Sequence, residues 1–192
     1  VFEKQISKNQ GQENDLIYLS KPLGTGYLLA AYFNNSDFLS SIDFQNLLEW
    51  LKKGNSQASE ISKSFRSNIT TDISGFGLAS HLSDICKSSK LSAEIKLNKE
   101  ILINKNIEIL ENFKSTGFDN NYSSTVNEIL ISDSNKLKNI LYDPQTNGPL
   151  LLSIHEKYQI EFEKKFQLKL GFSPILIGKF KKSGGKLINV ID

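Results

Sequence analysis

Apolar residues recur along this chain at two spacings. The stretch "SIDFQNLLEWLKK" sets Phe44, Leu47, Leu48 and Leu51 at i, i+3, i+4 and i+7, the stripe of a helix with one buried face. Asp43 is placed to cap that helix and Gly54 to stop or bend it. "NSQASEISKSF" keeps Ala58, Ile61 and Phe65 on one side, and a third helix is predicted from about Gly77, carrying Leu78, Leu82 and Ile85 inward. "NIEILENFKS", closing at Gly117, the short "NKLKNILY" and the amphipathic "EKYQIEFEKKFQLKLG", stopped by Gly171, read as further helices. Strand signals alternate with these. Leu16–Leu19 and Tyr27–Phe33 read as apolar strands split by the loop "SKPLGTG", which Pro22, Gly24 and Gly26 punctuate. "LSAEIKL" alternates, "PLLLSI" is continuously apolar, and "SPILIGKF" and "KLINVI" are expected to form a hairpin across "KKSGG". Phe118–Asn127 has no period and reads as a loop. Mixed helices and strands without a repeat predict an α+β or layered α/β/α fold.

The totals narrow the class. A chain of 192 residues is one large domain or two small ones, with 39% hydrophobic and 23% charged residues typical of a soluble globular protein. The net charge of +2 gives no field for nucleic acid or an anionic membrane, and pairs such as Lys164-Lys165 and Lys181-Lys182 read as solvated faces. No apolar run approaches the ~20 residues of a membrane-spanning helix. The opening "VFEKQISKNQGQENDL" lacks the apolar core of a secretory signal, and residues 1–15 are expected to be a flexible lead-in or linker. A single cysteine, Cys86, excludes an internal disulfide and points to a reducing, cytoplasmic setting. Methionine is absent, even at position 1, so the chain is expected to be an excised piece of a longer polypeptide.

Candidate chemistry is sparse. Cys86 lies mid-helix between Ile85 and Lys87 and reads as a buried, inert thiol. His81 and His155 are far apart and without zinc-ligand spacing, and His81 reads as a half-buried helix residue. Neither phosphate-loop nor dinucleotide-binding glycine pattern occurs. What stands out is "TTDISGFG", which sets Asp72 just outside the start of a helix. A helix N-terminus offers unpaired N–H groups and a positive dipole end to phosphate, and a carboxylate there could hold Mg²⁺ against it. Equally, Asp72 or Ser74 could simply cap the helix.

Three motifs, "LSKPLGTGYLLAA", "TTDISGFGLASHL" and "YDPQTNGPLLLSI", occur in an order and at spacings that resemble the C-terminal domain of selenophosphate synthetase (selenide, water dikinase). That domain is shared with aminoimidazole ribonucleotide synthetase and related ATP-using enzymes. The resemblance runs from about Leu16 to the C-terminus, so residues 16–192 are expected to form this domain, α+β and layered α/β/α, with a mixed sheet flanked by helices. It implies a homodimeric enzyme that uses ATP and Mg²⁺ to convert selenide and water into selenophosphate, AMP and phosphate. It also implies that the reactive residues and most ATP ligands belong to an N-terminal ATP-binding domain outside this chain, so none of the catalytic residues lie here. Asp72 is implied as a ligand of the metal and phosphate site, with Thr71, Ser74 and Gly75 lining its neighbourhood. The isolated piece is expected to be inactive.

Three departures from the family pattern are visible. Pro149 replaces a glycine after "DPQT", Ser80 replaces a glycine in the helix, and "STGFDNNYSSTVNE" lacks a Pro-Gly-Gly turn. They motivate an alternative, a non-catalytic scaffold or regulatory domain of the same fold, alone or fused to an oxidoreductase module. A sister ATP-dependent enzyme of the superfamily is a further alternative.

Overall fold

The computed structural model describes residues 11–34, 37 and 39–191. In chain order, β1 (Leu16–Leu19) is followed by α1 (Thr25–Phe33), α2 (Ser41–Lys52), α3 (Ser56–Ser64), β2 (Thr70–Asp72), α4 (Gly77–Ser89) and β3 (Leu91–Lys96). Then come α5 (Ile107–Asn112), α6 (Phe118–Thr125), β4 (Ile129–Leu130), β5 (Leu150–Ile154), α7 (Gln159–Leu170), β6 (Ile175–Lys182) and β7 (Ile188–Ile191). The strands form a mixed sheet in the order β2-β5-β1-β6-β3-β7-β4. Pairing is antiparallel from β2 to β3, whereas β7 runs parallel to both β3 and β4.

Two inner strands, β1 and β5, divide their side chains between two cores. In β1, Ile17 and Leu19 join one apolar cluster and Tyr18 the other; in β5, Leu151 joins the first, while Leu150, Leu152 and Ile154 join the second. A sheet buried on both faces must be apolar on both, which is why "PLLLSI" reads as a continuous run. Tyr27, Leu47, Leu82 and Ile109, from α1, α2, α4 and α5, cover the first face. Ile61, Phe162 and Phe166, from α3 and α7, cover the second, where the Tyr18 and Phe162 rings lie 5.0 Å apart. The buried Tyr18 hydroxyl donates to Glu163 Oε1 at 2.7 Å, so its burial leaves no orphaned polar group. The layered α/β/α arrangement is the one expected from the sequence, and among the described residues no helix is long and apolar enough to cross a membrane.

Four local expectations are corrected. Tyr27–Phe33 is helical, not a strand: a short apolar run fits either period, and the choice is made by distant groups that satisfy the N-terminus of α1. Ser40, not Asp43, caps α2. Asp43 stands three residues in and completes a capping box, its N–H donating to Ser40 Oγ and its carboxylate accepting from the Ser40 N–H. Phe118–Asn127 is not a loop, because α6 forms there on three buried anchors, Phe118, Asn121 and Thr125. Finally, β6 and β7 are not a hairpin. β3 lies between them, and the link from Ser183 to Leu187 spans two strand spacings, about 10 Å, which five residues bridge easily.

Of the polar lead-in, residues 1–10 lie outside the described residues, whereas Gly11–Asp15 are held against the sheet. Gly11 N–H donates to Ser89 Oγ at 3.2 Å, Asn14 N–H to Phe180 O at 2.9 Å, and Asp15 is buried. Cys86 is fully buried in the first core, and burial, with a smaller contribution from Glu128, pushes its thiol up to about 12. The folded protein is therefore expected to leave Cys86 unmodified by an aromatic disulfide reagent at pH 8, with one thiol released on denaturation. Rapid native labelling would contradict that burial.

Candidate functional site

The register of the sheet gathers the three motifs at one end. Asp72 faces Leu150, while Leu19 faces Leu151 on one side and Ile175 on the other. The ends of β2 and β1 and the start of β5 therefore deliver "TTDISGFG", "KPLGTG" and "DPQTNGP" to the same rim.

Side chains of the "DPQT" segment satisfy the N-terminus of α1. Gln145 Oε1 accepts from the N–H of Gly24 at 3.0 Å and of Thr25 at 3.3 Å, and from Thr25 Oγ1 at 3.2 Å. The Asp143 carboxylate accepts from the N–H groups of Gly26 and Tyr27, and from Ser115 Oγ and Gln145 Nε2. The four N–H groups that a helix start leaves without partners are thus all used. Packing is close enough that a Cβ at Gly26 would fall 2.2 Å from Pro144 O, so only glycine fits there. Asp143 is buried, and desolvation pushes its carboxyl up to about 7 against the opposing effect of its donors.

The same segment fixes the Asp72 loop. Ile73 N–H donates to Pro149 O at 2.9 Å and Gln145 N–H to Ser74 O at 3.0 Å. Pro149 fits at this position: its φ is not positive, its carbonyl makes the pairing, and it precedes the first residue of β5. Ser74 N–H donates to His81 Nε2 at 3.3 Å, which places half-buried His81 of α4 under the turn. Asn121, from the helix that the sequence pattern missed, donates to Gly75 O at 2.9 Å. Gly77, with φ of +72°, begins α4 against Leu141 and Tyr142, where a Cβ would come within 3.0 Å of backbone.

What remains at the surface is Asp72. It ends the edge strand exposed, and among the described residues its carboxylate has no ion pair or hydrogen bond. Thr71 is nearly buried beside it, Ser74 half-buried, and Gly75 exposed. α4 begins without a side-chain cap, so neither Asp72 nor Ser74 plays the capping part that its spacing allowed. Of two helix starts at this rim, that of α1 is filled by the chain's own acid and amide, and that of α4 carries no such side chain. Among the described residues, no three His, Cys, Asp or Glu side chains cluster as a metal cage. A lone exposed carboxylate fits one ligand of a Mg²⁺ ion that takes its remaining ligands from phosphate, water and other carboxylates.

Two further features share this rim. A cavity of about 480 Å³ opens between Pro22, Trp50, Leu102, Phe172 and Ile175, and none of Thr71–Gly75 lines it. Lys21 of "KPLGTG" is buried, its ammonium donating to Lys53 O at the end of α2 (2.7 Å), and burial with the Lys53 charge lowers it to about 8. Lys21 is thereby a capping group for α2.

A layered domain with these three loops on one rim is matched by the AIR synthase related protein family, in its C-terminal domain. The chain belongs to that family: the profile described as AIR synthase related protein, C-terminal domain, matches residues 12–184. Among curated proteins, the selenide, water dikinase of Caldanaerobacter subterraneus subsp. tengcongensis is 29% identical over 182 residues, 94% of this chain and 52% of that protein. The selenide, water dikinase of Campylobacter jejuni (strain RM1221) is 34% identical over 164 residues, 85% of this chain and 47% of that one. The chain thus spans about half the length of the curated relatives it matches. Thiamine-monophosphate kinase from Stenotrophomonas maltophilia K279a shares the fold with a TM-score of 0.66 at 15% identity, over 96% of this chain and 52% of that one. The hydrogenase maturation protein HypE does so with a TM-score of 0.57 at 16% identity, over 98% of this chain and 50% of that one.

Proposed function

We propose that this chain is the C-terminal domain of an ATP-dependent selenide, water dikinase, which makes selenophosphate from selenide, ATP and water. The relatives named for that activity support the reading, as does the retention of all three motifs on one rim. The observation that carries it is the Asp72 carboxylate, exposed and without a partner among the described residues, beside a helix start that no side chain caps. Asp72 would supply one Mg²⁺ ligand, with Thr71, Ser74 and Gly75 shaping the turn beside the phosphate. When bound, the metal would neutralise phosphate charge during transfer. The catalytic residues, and most contacts to ATP, would come from an N-terminal ATP-binding domain of the same polypeptide, working as a homodimer.

The test is selenide-stimulated ATP consumption with release of AMP and phosphate. A protein joining this chain to such an N-terminal domain is expected to show it in the presence of Mg²⁺. The 192-residue chain alone is expected to be inert, and to show no low-micromolar Mg-ATP binding by calorimetry, because one carboxylate is a poor Mg²⁺ site. ATP consumption indifferent to selenide would favour a sister enzyme. No consumption at all by the joined protein would favour the scaffold.

A further inference from the structure

The turn after Asp72 is fastened by a residue outside every motif. Asn121 lies in α6, only 5% exposed, and its Nδ2 donates to two carbonyls, Gly75 O at 2.9 Å and Tyr142 O at 3.0 Å. Both amide protons are used, one on the "SGF" turn and one immediately before Asp143. Two donors on one short side chain are what this bridge needs. Serine supplies one and an ionised aspartate none. The backbone of Asn121 is itself set, its N–H donating to Gly117 O and its carbonyl accepting from Ser124 Oγ and Thr125 Oγ1.

Gly75 is where such a tether matters. Ile73 and Ser74 are held by Pro149 and Gln145, but Gly75 is exposed, and a Cβ there would meet nothing within 4 Å. A glycine in open space has the widest backbone freedom of any residue. It stands between Asp72 and the first residues of α4, the two features that define the proposed phosphate site.

We propose that Asn121 is the positioning residue of the Asp72 loop, tying Gly75 to Tyr142 so that the carboxylate and the start of α4 keep a fixed mutual geometry. The proposal rests on the phosphate-site reading above for its functional half, and on geometry alone for its structural half. Preorganisation of this kind matters most to a site that must meet metal and phosphate together.

Two measurements separate the halves. Amide exchange on this chain is expected to speed up about tenfold in Asn121→Ser at Ser74 and Gly77, whose N–H groups donate to His81 Nε2 and Ser74 O, equivalent to about 1.4 kcal/mol, with β5 unchanged. Unchanged exchange in that turn would overturn the tether whatever the enzyme does. In the protein carrying both halves, Asn121→Ser is expected to raise the half-saturating Mg²⁺ concentration about tenfold. Exchange that speeds up with Mg²⁺ dependence unmoved would overturn the positioning role. Should Asn121→Ser fail to fold, Asn121→Thr keeps more of the volume, supplies one donor without burying a charge, and is read in the same way. Should the wild-type protein consume no ATP, the functional reading fails while the exchange result still decides the tether.

Discussion

Asp72→Ala is expected to cut selenide-stimulated ATP consumption by the two-domain protein by on the order of 10³-fold, the scale on which removing one electrostatic stabiliser of a transition state acts. Its melting temperature is expected to stay within about 2 °C, because an exposed side chain without partners contributes within about 0.5 kcal/mol. The pairing of a large kinetic effect with a negligible structural one is the signature sought. Asp72→Asn preserves shape and removes charge, so it should fall with alanine if the carboxylate holds Mg²⁺, and should recover in part as Mg²⁺ is raised. Turnover that survives both substitutions would sink the metal role. It would leave Asp72 as an ordinary end to an edge strand.

How much of this was legible in the sequence depends on where each determinant lies. The stripes of α2, α3, α4 and α7 and the runs of β1, β3 and β5 are local, so periodicity finds them. The identity of α1 is not local. "TGYLLAAYF" is apolar at either period, and its helix start is satisfied by Gln145 and Asp143, about 120 residues further on. α6 is hidden for the opposite reason: "FDNNYSST" is too polar to show a stripe, and two of its three anchors are polar, an asparagine amide bonded to Gly75 and Tyr142 and a threonine hydroxyl bonded back to the helix. The β6–β7 link shows a glycine turn faithfully but says nothing of the strand that slides between. The family motifs fared better than the local patterns because each encodes a piece of a shared rim, although the hydrogen bonds joining them appear only in three dimensions. Asn121 carried no sequence signal beyond its place in the stretch that lacks the Pro-Gly-Gly turn.

The second large effect concerns the acid that binds the rim together. Asp143→Ala removes the acceptor for two backbone N–H groups of α1 and for the side chains of Gln145 and Ser115, all in a buried setting. Leaving such donors unpaired is expected to cost about 3 kcal/mol. For a domain of this size that lowers the melting temperature by roughly 6–12 °C. Asp143→Asn distinguishes the two forces acting on the carboxyl. Burial raises it to about 7 from an ordinary value near 4, whereas its donors, and the positive end of α1, favour the ionised form. Nearby, Tyr27 has its phenol raised by burial first, then by the charges of Asp143 and Asp43. With the carboxyl raised, the folded protein holds a proton between about pH 4 and 7 that the unfolded chain has released. Stability from this group is therefore complete below pH 4 and declines as pH rises towards 7, by at most about 1.4 kcal/mol per unit. The advantage of the wild type over Asp143→Asn is expected to shrink from pH 5 to pH 7 and then level off, read as the difference in denaturant-unfolding free energy. An advantage that stays flat from pH 5 to pH 7, having grown only below about pH 4 where the unfolded carboxyl ionises, would mean that the four donors outweigh burial and that Asp143 is a fixed negative charge at the start of α1.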